Sequence, residues 1–149
     1  MNESLDKKKY EILARLSISS LYLVFGLNVT LAAVAYFLQG ETYSENITDN
    51  TLIRNVFIIL ALLELAALQF IKNALISRIP RSSIDNIPYN QLISITYIVA
   101  GMCVSIAIYG LIIVLLGGNY DFMLLFVAIS LIGFQLFRLR KKDLDKIIS

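Results

Sequence analysis

NVFIILALLELAALQFI, Asn55 to Ile71, is the stretch that decides the fold: seventeen residues, of which only Glu64, near the middle, is charged. As a helix rising 1.5 Å per residue it is roughly 25 Å long, close to the thickness of a hydrocarbon layer. Arg54 precedes it and Lys72 follows it, each able to extend its charge to a headgroup while its stem lies in apolar surroundings. Three other blocks resemble it, Leu16 to Leu38, Gln91 to Leu116 and Phe122 to Phe137, and none of the three contains an Asp, Glu, Lys or Arg. About 20 helical residues cross a bilayer core of roughly 30 Å. These blocks are apolar on every side, whereas a helix on a water-soluble bundle carries an apolar stripe and a polar face.

The whole chain agrees. Of 149 residues, 58% are hydrophobic and 16% charged, against about 45–50% and about 25% in an ordinary soluble domain. The expected fold is all-α: an integral membrane four-helix bundle running up-down-up-down, a single transmembrane domain over 1–149 with helices at about 16–38, 52–77, 91–116 and 122–137. A formal net charge of +2 gives no reason to expect a nucleic-acid partner. With no His and one Cys, an intrachain disulfide is impossible and metal sites built on those residues are excluded. No metal and no cofactor are expected.

Charge distribution orients the bundle. Four basic residues precede the first block, three lie between Lys72 and Arg81, and five are in the tail; Arg54 alone falls elsewhere. The positive-inside rule then places both termini and the second loop in the cytoplasm, in a cell membrane of the cytoplasmic type. The first loop, Gln39 to Thr51, is acidic and contains Asn46-Ile47-Thr48, a glycosylation sequon of low specificity. Both prolines, Pro80 and Pro88, lie in the second loop, ending one helix and preceding the next. Gly117-Gly118 stops the third helix, and the tail RLRKKDLDKIIS is expected to extend the fourth helix past the membrane surface.

Small residues mark the faces on which helices approach closely in lipid: Gly26, Thr30 and Ala33 on the first helix, and Ala100, Cys103, Ala107 and Gly110 with Gly101 on the third. Two such registers on one helix imply more than one neighbour, and self-association or a partner in a membrane complex is expected alongside the lipid bilayer. The helix midpoints fall near Asn28, Glu64, Ser105 and Ser130. Lipid offers no hydrogen bonds, so Glu64 is expected to face the bundle interior and to bond some of these groups in a buried polar cluster. Burial of Glu64 without a cation favours its neutral acid form. Two readings of that carboxyl stay open: a pin between helices, or a carrier of H⁺ or Na⁺. Tyr97 and Tyr109 read as packing aromatics.

No paired carboxylates, phosphate-binding glycine loop or nucleophile–base pair is present, so no enzyme is expected. Ser105-Ile-Ala-Ile-Tyr109-Gly110-Leu-Ile resembles the ion-binding helix of the proteolipid subunits of rotary ATPases, where a carboxylate precedes Ser/Thr-x-Ala-Ile-Tyr-Gly. The resemblance covers the second hairpin, Arg78 to Gly118, and Val104 stands at the carboxylate position. It implies that Glu64 supplies the missing carboxylate from the neighbouring helix, with Ser105 as co-ligand. The functional expectation is a small polytopic membrane protein acting as a non-catalytic helix-packing or accessory subunit. The alternatives are a proteolipid-like H⁺/Na⁺-binding subunit using Glu64, or a small pore or transporter.

Overall fold

The computed structural model describes residues 2–42, 51–80 and 89–147, with side-chain surroundings from residue 7 onward and to residue 39 in the first segment. The sequon at Asn46 and most of the proline loop, with Arg81 and Pro88, lie outside the described residues. Four long helices run from Asn2–Thr42 (α1), Thr51–Ser77 (α2), Tyr89–Leu115 (α3) and Tyr120–Phe137 (α4), and a one-turn helix, Lys141–Asp145 (α5), follows. Among the described residues there is no strand. Each of α1 to α4 is long and apolar enough to cross a membrane.

Contacts along the helices give their directions. Ser19 faces Tyr97 and Ala35 packs with Val114, so α1 and α3 run parallel. Asn28 meets Ser130 and Tyr36 meets Tyr120, so α4 runs against α1. Phe57 stacks on Tyr109 and Glu64 reaches Ser105, so α2 runs against α3. The order is up, down, up, down, with the start of α1 and the one-turn helix α5 at the same end of the bundle. There Lys9 Nζ lies 2.8 Å from Asp145 Oδ1.

α3 is the central helix. Half of its apolar span is buried within the chain, against 11% for α2. Its small residues explain the position: Ala100, Cys103, Ala107 and Gly110 are all buried. A Cβ on Gly110 would stand 2.9 Å from Met123 Cα and 3.0 Å from Phe126 Cβ, so only a glycine lets α4 come this close. Gly101 faces outward with nothing near its Cβ direction. On α1 the inward stripe is Leu16, Ser20, Val24, Asn28 and Ala35. Gly26, Thr30 and Ala33 lie on the opposite, exposed side, where a Cβ on Gly26 would meet nothing within 4 Å and the Thr30 hydroxyl bonds back to Gly26 O at 2.8 Å.

The α3–α4 turn is built from local chemistry. Gly117 adopts φ 86°, a left-handed conformation, while its N–H bonds Val114 O and the Gly118 N–H bonds Ile113 O. That pair of bonds is a Schellman closure, which satisfies the last carbonyls of a helix. Asn119 then caps α4 by accepting from the Asp121 N–H at 3.2 Å, with Asp121 favourably placed at the positive end of the helix dipole.

The tail departs from expectation. α4 stops at Phe137, Arg138 and Arg140 are extended, and α5 folds back onto the start of α1 instead of prolonging α4. The reason is burial: Leu139, Leu144 and Ile147 join the core that contains Leu16, Ile76, Ile79 and Leu92. Lys72 is also corrected by the structure. Its ammonium does not reach outward but is buried, 2.8 Å from the buried Asp143 carboxylate. A counter-charge within the fold removes the need to seek headgroups.

Candidate functional site: the carboxyl between α2 and α3

The four polar residues expected to meet at mid-depth separate into two pairs. α1 and α2 both pack on α3 and share no extended contact, and Asn28 on α1 and Glu64 on α2 meet different partners. Asn28 and Ser130 form one pair, Asn28 Nδ2 donating to Ser130 Oγ at 3.1 Å and to Val24 O at 2.8 Å. Both residues are fully buried, and Asn28 Oδ1 has no partner among the described residues. This pair ties α1 to α4.

Glu64 forms the other group, on α2, facing α3. Its buried neighbours Ala61 and Leu68 set the stripe by which α2 packs, while Leu60, Leu63 and Ala67 are exposed. Glu64 lies at the edge of that stripe and is half-buried. Ser105 Oγ hydrogen-bonds Glu64 Oε1, and the Tyr109 hydroxyl donates to Glu64 Oε2 at 2.8 Å. Tyr109 is held in place by Phe57, at 5.5 Å between ring centroids, and by Phe126, edge-on at 6.4 Å. No lysine or arginine nitrogen pairs with Glu64 among the described residues; Lys9 pairs with Asp145 and Lys72 with Asp143.

The packing reading of Tyr109 fits its ring, between Phe57 and Phe126, and omits its hydroxyl, which donates to Glu64. The signal was present: Ser105 and Tyr109 are four residues apart, so on a helix they occupy one face. Two hydroxyls on the face opposite a lone acid are its natural partners.

Counting protons shows what this arrangement accommodates. Ser105 Oγ also lies 2.7 Å from Met102 O, three residues back on its own helix, and a hydroxyl has one proton to donate. If Glu64 is ionised, that proton must serve either Met102 O or the carboxylate, and one contact is left without a proton. If Glu64 is the neutral acid, its own proton goes to Ser105 Oγ and the Ser105 proton goes to Met102 O. The Tyr109 proton then goes to Glu64 Oε2, and every contact is satisfied. The same four groups, a carboxyl, two hydroxyls and a main-chain carbonyl, also form a set of hard oxygen donors of the type that small cations take.

No protein-family model, curated protein or solved structure matches the chain.

Proposed function

We propose that the chain is an integral multi-pass membrane protein with both ends in the cytoplasm, serving as a non-catalytic helix-packing or accessory subunit. In it, the Glu64 carboxyl pins α2 to α3. Four sufficiently long apolar helices support the membrane reading, as does an outer surface carrying Phe25, Phe37, Leu62, Leu63 and Phe70. The basic residues gathered at the end of the bundle that holds both termini support the orientation. The pinning role rests on one observation, the carboxyl joined to both Ser105 and Tyr109 across the seam. α2 has little other buried surface, so a directional contact determines its register against α3. Interhelical hydrogen bonds in membranes average only about 0.6 kcal/mol, reaching about 1.7, so the contact contributes specificity more than strength.

The test is Glu64→Gln beside Glu64→Leu. Glutamine presents an N–H donor to Ser105 and an acceptor to Tyr109, as the neutral acid does, so assembly and thermal stability stay close to wild type. Leucine leaves the Tyr109 hydroxyl without its partner and Ser105 with only Met102 O, and lowers stability. Ion flux lost in the glutamine variant with assembly intact would overturn the pin.

A second reading is a proteolipid-like subunit that binds H⁺ or Na⁺ at Glu64. It is favoured by the oxygen set around a half-buried carboxyl, and by the likeness of the Ser105-to-Gly110 stretch to proteolipid ion-binding helices. Intramembrane carboxyls of this kind react with dicyclohexylcarbodiimide. Labelling of Glu64 that Na⁺ suppresses is the expected result of this reading, and absence of labelling at every pH removes it. A large ring on sizing favours it; a monomer or dimer favours the pin.

A further inference from the structure

At the end of the bundle that carries the termini, a cleft of about 430 Å³ opens between α1, the last turn of α4 and the returning tail. Its volume is within the roughly 300–1,000 Å³ common for small-ligand sites. Tyr10 and Ser17 line it from α1, Gln135 from α4, and Arg138, Arg140 and Lys141 from the segment beyond. None of the described residues that line it is acidic; Glu11, next to Tyr10, faces a neighbouring cleft with Lys8 and Arg15.

The cleft is layered by chemistry. Ser17 and Gln135 lie inward of the first charges on their helices, Arg15 and Arg138, and supply neutral hydrogen-bonding groups. Above them stand three cations. Two are held in place: the Arg140 guanidinium donates to Leu136 O at 2.8 Å, and the Lys141 ammonium sits 5.3 Å over the Tyr10 ring. Cations assembled before a ligand arrives lose less entropy on binding, and guanidinium groups match phosphate oxygens two at a time. An outer layer of phosphate-binding cations over an inner layer of neutral polar groups matches a glycerophospholipid, whose phosphate lies outside its ester oxygens. Basic pockets at the cytoplasmic ends of membrane helices take such headgroups.

We propose that this cleft binds the phosphate of an anionic phospholipid, held by Arg138, Arg140 and Lys141, with Ser17 and Gln135 on the glycerol ester region. The proposal rests on the membrane reading above and goes beyond it by naming a ligand class. The folded-back tail is what makes the site, because a continuous α4 would carry Arg140 and Lys141 away from α1.

The full chain, reconstituted in nanodiscs of mixed phosphatidylcholine and phosphatidylglycerol, tests it. After mild extraction, co-purifying lipid is measured by mass spectrometry. Phosphatidylglycerol is expected to be enriched about tenfold. Arg138→Gln with Lys141→Gln abolishes the enrichment, and Lys7→Gln with Lys142→Gln, removing the same charge from exposed positions outside the cleft, preserves it. Equal loss in both double variants means diffuse attraction and overturns the site. Complete displacement by inorganic phosphate assigns the cleft to a free ion and overturns the lipid. A phosphatidylglycerol bearing a photoreactive headgroup tests the wild type without any variant: crosslinks must map to 10–17 and 135–141, and crosslinks only elsewhere refute the proposal. Release of the chain by alkaline carbonate would count against the membrane reading itself; a retained chain without enrichment sinks the cleft alone.

Discussion

Lys72 and Asp143, 71 residues apart, form a buried ion pair at 2.8 Å that fastens the C-terminal tail to α2. Asp143 has a second task, accepting the Arg140 N–H at 3.0 Å through the same oxygen and so capping α5. One carboxylate thus holds both the shape of the tail and its attachment. Truncating one member of a buried pair leaves the other charged and unpaired, at a cost of about 3–5 kcal/mol, whereas exchanging both for apolar residues is often nearly neutral. Lys72→Met is therefore expected to lower the thermal midpoint in detergent sharply and expose the tail to protease. Lys72→Met with Asp143→Leu recovers most of the loss, short of the contribution of the α5 cap. A double variant as unstable as the single one would show that the pair itself, and not the orphaned charge, carries the stability.

At the α2–α3 seam, Tyr109→Phe removes one hydroxyl and keeps the ring between Phe57 and Phe126. Its cost is expected to be about 0.6 kcal/mol and no more than about 1.7. Ser105→Ala removes the acceptor for the Glu64 proton and also frees Met102 O, so its cost should equal or exceed that of Tyr109→Phe. Thermal unfolding of both variants and of the pair completes a double-mutant cycle, which is expected to show coupling because both hydroxyls act on one carboxyl.

Two glycines on α3 separate close packing from open surface. Gly110→Ala places a methyl against the Met123 backbone, which cannot rotate aside, so α3 and α4 must part at a cost of about 1–3 kcal/mol. Gly101→Ala meets nothing within 4 Å and should be neutral or stabilising by up to about 1 kcal/mol, since alanine is the better helix former. Comparison of unfolding midpoints checks both; equal effects would contradict the packing described.

Topology can be read by chemical labelling with little background, because the only cysteine, Cys103, is fully buried. A membrane-impermeant maleimide should leave the wild type unlabelled. Lys142→Cys should react from the cytoplasmic side alone and Asn119→Cys from the opposite side alone. Labelling of both from one side would refute the proposed orientation.

Much of the bundle was legible because helical membrane-length segments are specified locally. The apolar blocks around Ala61, Val104 and Phe126 carry their own length signal, and Gly117-Gly118 with Asn119 carries its own turn chemistry. Glu64 stood out for the same reason, as the single charged residue within the apolar blocks. Its partner was half legible: Ser105 was named by depth, but depth places every helix midpoint at one height and says nothing about which helices are neighbours. Depth alone groups Asn28 and Ser130 with Glu64, whereas in the fold they pair with each other.

The sequence by itself determined helical segments long and apolar enough to cross a membrane, the turn that joins α3 to α4, and a carboxyl in need of hydrogen-bonding company. Only the tertiary structure decided that α3 is the hub, that Tyr109 joins Ser105 on Glu64, and that the tail returns to bury Asp143 against Lys72. Those outcomes depend on rotation of each helix about its axis and on contacts between residues far apart in the chain. Helix rotation is set by side-chain packing among neighbours, and a pattern that is apolar on every side carries almost no information about it.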